Sequence, residues 1–112
     1  MDWKDFMGGM KSSVGNFNAA APETSKGFGS LAHAAKTSGV LDAKTKEFVA
    51  LAISVADRCE PCIGFHIEAL IREKATREEI ADVLSMCVYM GGGPSLMYAS
   101  KAMDAWDQLS KT

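Results

Sequence analysis

The chain has 112 residues, of which 47% are hydrophobic and 23% charged, with three prolines. This length and composition fit one ordered globular domain over residues 1–112 and exclude a disordered chain. The formal net charge is −2, and lysines and arginines are spread among acids without forming a basic face, so we expect no nucleic-acid partner. The amino terminus, MDWKDFMGGMKSS, lacks the apolar stretch of a signal peptide or a membrane span. We therefore expect a cytoplasmic protein without a membrane partner.

Helical spacing of apolar residues runs through the first half of the chain. The first helix is expected to be short and weak, because Gly8 and Gly9 interrupt it. Its apolar residues are Trp3, Phe6, Met7 and Met10. A second helix is predicted from Glu23 to Lys36, ending near Gly39. Asp42 can cap a third helix, whose core FVALAISVA (48–56) is apolar on nearly every side and is expected to be buried all round.

Three further helices are predicted in the second half. One begins at the cysteines of RCEPCIGFH (58–66), where Pro61 suits a first turn, and runs to Lys74. Thr76 and Glu79 have the spacing of a capping box and open the next helix, which ends at glycines 91–93. Pro94 starts the last helix. Its predicted apolar side comprises Leu96, Met97, Ala102, Met103 and Trp106. The predicted fold class is an all-α bundle of five or six helices.

The two cysteines of this stretch, Cys59 and Cys62, have Cys-x-x-Cys spacing, and His66 follows four residues after the second. Such a pair can close a disulfide, bind a metal or pack as small apolar groups. A structural disulfide is disfavoured in a reducing compartment, so the pair is more often redox-active or metal-binding. In the first turn of a helix, the unpaired amide hydrogens and the helix dipole favour a thiolate.

Glu47 and His66 are expected to meet if the third and fourth helices form an antiparallel hairpin that turns near Arg58. At ~1.5 Å per residue, His66 then lies about 12 Å from the turn and Glu47 about 16 Å from it. Cys62 lies one turn from His66 on the same helix face. The spacing therefore matches a nucleophile, a base and a residue that orients the base.

These residues resemble the alkylhydroperoxidase D-like proteins of the carboxymuconolactone decarboxylase superfamily. The resemblance is strongest over residues 41–98, through DAKTKEFVALAISVADRCEPCIGFHIEAL, ATREEIADVL and MGGGPSLMY. The family motif is a glutamate, a Cys-x-x-Cys pair twelve residues later and a histidine four residues after the second cysteine. Glu47, Cys59, Cys62 and His66 match every element. The best-known members carry a second histidine where this chain has Pro61, which predicts a simpler proton relay or slower peroxide reduction.

The resemblance implies an all-helical fold assembled as a homo-oligomer, commonly a trimer or hexamer. It also implies thiol-dependent reduction of hydroperoxides or partner disulfides, with no organic cofactor. Cys62 would attack the peroxide and become a sulfenic acid, Cys59 would resolve it as a disulfide, and Glu47 and His66 would relay the proton. The electron donor would be a thiol or lipoyl-type partner. The helix geometry alone does not decide which cysteine attacks.

Two other functions stay open. A non-catalytic, metal-binding helical oligomer could use the cysteine pair and His66 as zinc ligands, with Cys87 or His33 as the fourth. Neither of these two lies in a recognisable second ligand pair, so no metal is expected. A lactone decarboxylase could use Glu47 and His66, although the decarboxylase branch of the superfamily lacks the cysteine pair. Cys87 itself is expected to pack as a small hydrophobic residue.

Overall fold

The computed structural model describes residues 1–111, so the predicted domain extends one residue beyond the described part. Six helices occur within it: α1 (Trp3–Ala20), α2 (Pro22–Thr37), α3 (Ala43–Ala56), α4 (Glu60–Arg72), α5 (Arg77–Gly91) and α6 (Gly93–Leu109). Residues 1–111 contain no strand, and the predicted all-α class is confirmed. Within the same range, no helix has both the length and the apolar character needed to cross a membrane.

One hydrophobic core joins five of the helices. Its largest fully buried side chains are Trp3, Met7, Leu51, Val55, Ile63, Ile67, Leu70 and Ile80. Helix α2 buries no residue at all. It therefore lies outside the core, and the core fixes α3 and α4, on which the predicted site residues stand.

Helix α1 is longer than the short, weak helix expected from its glycines. It spans 18 residues and begins with Asp2, whose side chain accepts a hydrogen bond from the Asp5 amide. Trp3 and Met7 are each only 1% exposed. Met7 packs directly on Gly64 of α4. Burial against distant residues therefore outweighs the low helix propensity of the two adjacent glycines.

Only three residues join α3 to α4. Arg58 has a φ of 56°, the left-handed conformation common just after a helix end. The Arg58 amide donates to the Val55 carbonyl, and the Cys59 amide donates to the Ser54 carbonyl, which together close a Schellman motif. Cys59 is also the N-cap of α4. The same residue thus completes the end of α3 and begins α4.

The later helix boundaries agree closely with the predictions. The capping box of Thr76 and Glu79 is present at the start of α5. Helix α4 ends at Arg72, two residues earlier than predicted, because Lys74 takes a left-handed conformation with a φ of 60°. Between α5 and α6, Gly92 has a φ of 71°, which side chains other than glycine rarely adopt.

Two apolar helix faces are exposed in the single chain, one of them on α3, which was predicted to be buried all round. On α3, Val49 and Ile53 are 50% and 54% exposed, so this helix is not buried all round. On α6, Leu96 and Met97 also face outward. The buried residues of α6 are Ser95, Ala99, Ala102, Ala105 and Trp106. They recur every three or four positions, and the two exposed residues lie beside this stripe.

Candidate functional site

Helices α3 and α4 bring Glu47 and His66 into direct contact, as the hairpin geometry predicted. Oε2 of Glu47 lies 2.6 Å from Nδ1 of His66. The Glu47 side chain is 11% exposed and that of His66 is 27% exposed. Because an ionised carboxylate can only accept hydrogen bonds, Nδ1 is the donor in this contact, and in the neutral imidazole Nε2 then has a free lone pair. The pair therefore holds an imidazole that can accept a proton at Nε2.

The core on either side keeps this pair in place. Glu47 lies one turn before the fully buried Leu51 on α3. On α4, His66 directly precedes Ile67 and lies four residues before Leu70, both of which are fully buried. Side chains at the border of a packed core have few alternative positions. The contact between the carboxylate and the imidazole thus lies directly beside fully buried core residues.

The two motif cysteines occupy the first turn of α4. A disulfide joins Cys59 and Cys62, whose Cα atoms are 5.2 Å apart. Sγ of Cys59, the N-cap residue, also accepts a hydrogen bond from the Cys62 amide at 3.3 Å. In the reduced protein, this position would favour a thiolate through the amide hydrogens and the dipole of α4. Cys62 stands one turn before His66 on the same helix.

An ion pair beside the cysteines was not anticipated from the sequence. Glu60 lies between the cysteines in sequence, and its carboxylate would oppose a second negative charge nearby. Nζ of Lys101 on α6 lies 2.9 Å from Oε2 of Glu60. The hydrogen bond that Lys101 donates to the Glu60 carboxylate raises the pKa of Lys101. Lys101, 41 residues further along the chain, therefore offsets the acidic charge next to the cysteines.

A cavity of about 340 Å³ lies beside the pair, between α2, α3 and α4. Six apolar residues line it: Ala32, Ala35, Leu41, Val49, Ala50 and Ile53. Lys36, Lys46, Glu47 and His66 complete the lining. Its volume is within the range of small-molecule sites, and its mixture of apolar walls and a few polar groups is typical of them. Sequence reasoning did not find it, because nothing in the pattern of α2 indicated a contact with this face of α3.

The remaining candidate residues lie apart from a common site. His33 is exposed on α2. Cys87 packs partly buried against the core, as expected, and its Sγ lies 3.9 Å from the Ala52 carbonyl. Burial raises the pKa of the Cys87 thiol. Within residues 1–111, no three or more His, Cys, Asp or Glu side chains are grouped so that they could hold a metal ion.

Comparisons with known proteins agree on one family. The model of the carboxymuconolactone decarboxylase family matches residues 22–105. The chain is similar to a solved family member from Legionella pneumophila in its apo form, with a TM-score of 0.93 and 47% identity over 97% of both chains. It is also similar to a solved Thermotoga maritima family member, described as having a possible involvement in antioxidative response. There the TM-score is 0.80 and the identity 27%, over 92% of this chain and 88% of that one.

A further relative was found by comparison of sequences. An uncharacterized protein of Cupriavidus necator is 41% identical over 96 residues, which are 86% of this chain and 85% of that protein. The family match, for its part, covers α2 to α6 almost completely, including the cysteine pair, Glu47 and His66. Its description names an enzyme activity, so the family contains enzymes. The chain belongs to the carboxymuconolactone decarboxylase family.

Proposed function

We propose that this protein is a thiol-dependent oxidoreductase that reduces hydroperoxides through Cys59 and Cys62. One observation carries the proposal: the Cys-x-x-Cys disulfide lies one helical turn before a histidine whose Nδ1 is held by a nearly buried carboxylate. A redox-active dithiol needs a nucleophile with thiolate character and a group that moves its proton. The start of α4 supplies the first requirement, and His66 with Glu47 supplies the second.

In the proposed cycle, the thiolate of Cys62 attacks one oxygen of the hydroperoxide. A sulfur–oxygen bond forms and the oxygen–oxygen bond breaks, so the sulfur becomes a sulfenic acid and the peroxide leaves as an alcohol after taking up a proton. The Cys59 thiol then attacks the Cys62 sulfur, which forms the disulfide and releases water. An external dithiol donor reduces the disulfide, and it becomes a disulfide itself. Two electrons thus pass from the donor to the peroxide.

His66 carries the proton that the Cys62 thiol loses to the alkoxide that leaves the peroxide. Nε2 of His66 accepts the proton of the Cys62 thiol, directly or through one water, and later gives it to the leaving alkoxide. Glu47 does not react; its contact with Nδ1 orients the ring and stabilises the imidazolium that forms. Since Pro61 occupies the position of the second histidine of well-known relatives, this single relay would serve both transfers.

The surroundings of the site support an organic peroxide as substrate. The 340 Å³ cavity beside His66 has six apolar lining residues, which suit the hydrocarbon part of an organic hydroperoxide better than hydrogen peroxide. The relative from Thermotoga maritima, to which a possible antioxidative involvement is ascribed, is consistent with this class of reaction. Partner disulfides are the second substrate class that the same dithiol could exchange with.

We also propose that the protein works as a homo-oligomer, with a trimer or hexamer as the expected form. Away from this cavity, large apolar side chains lie more than 45% exposed along α5 and α6: Met86, Met90, Leu96 and Met97. Such an amount of exposed apolar surface is typical of subunit interfaces. Light scattering at micromolar concentration tests this, and a monomer would contradict it.

The function itself is tested by the intact mass and thiol count of reduced protein, before and after a small excess of cumene hydroperoxide. We expect the wild type to lose two thiols and a peptide map to join Cys59 to Cys62. Cys59→Ser should trap a sulfenic acid on Cys62, and Cys62→Ser should not react. Cys87→Ser is the matched control, because its thiol lies outside the pair, and it should behave as the wild type.

Other results would redirect the assignment. If both thiols of the pair stay reduced, hydroperoxide is not the substrate. Exchange with a small disulfide such as cystamine would then identify the second substrate class. Lactone decarboxylation that survives Cys62→Ser would instead assign Glu47 and His66 to thiol-independent chemistry and would contradict the proposal.

A further inference from the structure

Helix α2 forms one wall of the cavity beside His66, yet no hydrophobic burial holds it there. None of its 16 residues is buried, and its large side chains Phe28 and Leu31 are 70% and 64% exposed. The opposite wall is different, because α3 carries the fully buried Leu51 and Val55. One wall of the cavity is therefore fixed by the core, and the other must be held by something else.

Lys46 supplies that attachment. Its Nζ donates a hydrogen bond of 2.8 Å to the carbonyl of Ala35, in the last turn of α2. It also donates to the carbonyl of Ser38, the C-cap residue of that helix. Carbonyls at the end of a helix have no partner within the helix, and they carry the negative end of the dipole. The ammonium of Lys46 is thus bonded where a cation is most favoured.

No other side-chain hydrogen bond or ion pair within the described residues joins α2 or residues 38–41 to α3. Lys46 also lines the cavity, next to Glu47 in sequence. Among the described residues of the single chain, Lys46 thus makes the side-chain hydrogen bonds that join the end of α2 to α3, next to Ala32 and Ala35. Glu47 and His66 do not depend on it, since α3 and α4 are fixed by the core.

We propose that Lys46 is a positioning residue that sets the preference for organic hydroperoxides, by holding α2 as the outer wall of the apolar cavity that His66 lines. This rests on the proposed function and adds a substrate preference to it. With the wall in place, the hydrocarbon part of an organic hydroperoxide is enclosed between α2 and α3. Without it, the same substrate meets an open face, whereas hydrogen peroxide has no hydrocarbon part to lose contact with.

The test compares Lys46→Met, which keeps the aliphatic stem and removes the ammonium, with Lys46→Arg, which keeps a charged donor. Lys44→Met is the matched control. It removes a cation two residues away on α3, whose Nζ pairs with Glu79 of α5. The first readout is amide hydrogen exchange across residues 31–41 in the full-length protein. We expect exchange to rise by about tenfold in Lys46→Met and to stay near the wild-type rate in the other two variants.

The second readout is the kcat/KM for cumene hydroperoxide divided by that for hydrogen peroxide. We expect this ratio to fall by about fivefold or more in Lys46→Met, since apolar contacts of a few methylenes are worth at least this discrimination. Lys46→Arg should restore most of the ratio, and Lys44→Met should leave it unchanged.

Each contrary result has a separate meaning. Unchanged exchange in Lys46→Met would overturn the attachment of α2. Faster exchange with an unchanged ratio would overturn the role in specificity, because the wall would then move without affecting the substrate. Wild-type protein that reduces neither peroxide would overturn the proposed function, and the exchange experiment would still decide whether Lys46 holds α2.

Discussion

The contact between Met7 of α1 and Gly64 of α4 predicts that Gly64→Ala destabilises the protein. A Cβ at this position would lie 2.1 Å from Sδ of Met7, 2.9 Å from its Cε and 3.0 Å from its Cγ. Because Met7 is only 1% exposed, its side chain has no solvent to move into. Overpacking of a buried site typically costs about 1–3 kcal/mol, and we expect a loss in this range.

Urea denaturation followed by circular dichroism measures this loss, at several protein concentrations because an oligomer would make stability concentration-dependent. Met7→Ala alone should cost about 2–5 kcal/mol through the cavity it leaves. In the double variant, the added methyl group enters that cavity, so its cost should fall below the sum of the single costs by about 1 kcal/mol or more. Gly8→Ala is the control: no atom lies within 4 Å of its added Cβ, and it should stabilise α1 by about 0.5–1 kcal/mol. Additive costs, or a Gly64→Ala variant as stable as wild type, would refute the reasoning.

Three further predictions concern stability and thiol reactivity. Arg58→Gly should raise the free energy of unfolding by about 0.5–1 kcal/mol, since glycine adopts the positive φ without strain; lower stability by urea denaturation would count against this. The pKa of Glu79 is lowered by the hydrogen bond from Lys44 and by the Thr76 amide, so its contribution is present above its usual value of 4.5 and is lost as the pH falls through the lower, folded value. Glu79→Gln should therefore show a smaller loss of thermal stability on acidification than the wild type, and equal losses would contradict the assignment. Burial raises the pKa of Cys87, so in the oxidised protein it should react with iodoacetamide more slowly than a free cysteine peptide at pH 8; an equal rate would show an accessible thiol.

Local signals predicted the helix boundaries well, because caps and turns depend on neighbouring residues. Thr76 and Glu79 formed the predicted capping box, and Asp42 caps α3 by accepting from the Thr45 amide. The contact of Glu47 with His66 was also predictable, since a tight turn between two helices fixes their relative position. These features can be predicted from the number of residues between the interacting groups.

Features that depend on distant packing were not predictable from one sequence. The length of α1 follows from the burial of Met7 against Gly64, which are 57 residues apart in sequence. The cavity beside His66 requires α2 to lie across α3. In the sequence, no pattern distinguishes Lys46, which holds α2 there, from an ordinary surface lysine. The exposed face of α3 was predicted to be buried because its apolar pattern does not say whether the same chain covers it.

Cys59 both ends the turn after α3 and caps α4, which explains why the spacing of the motif carries information. Each residue added to a helix turns the part beyond it by about 100° around the axis. One insertion between Glu47 and the turn would point the carboxylate away from His66, even with every motif residue still present. Because the turn between the two helices is short and fixed, the number of residues from Glu47 to Cys59, which is twelve, determines the direction in which the carboxylate points. The spacing of the motif therefore sets the angle at which the carboxylate meets the imidazole.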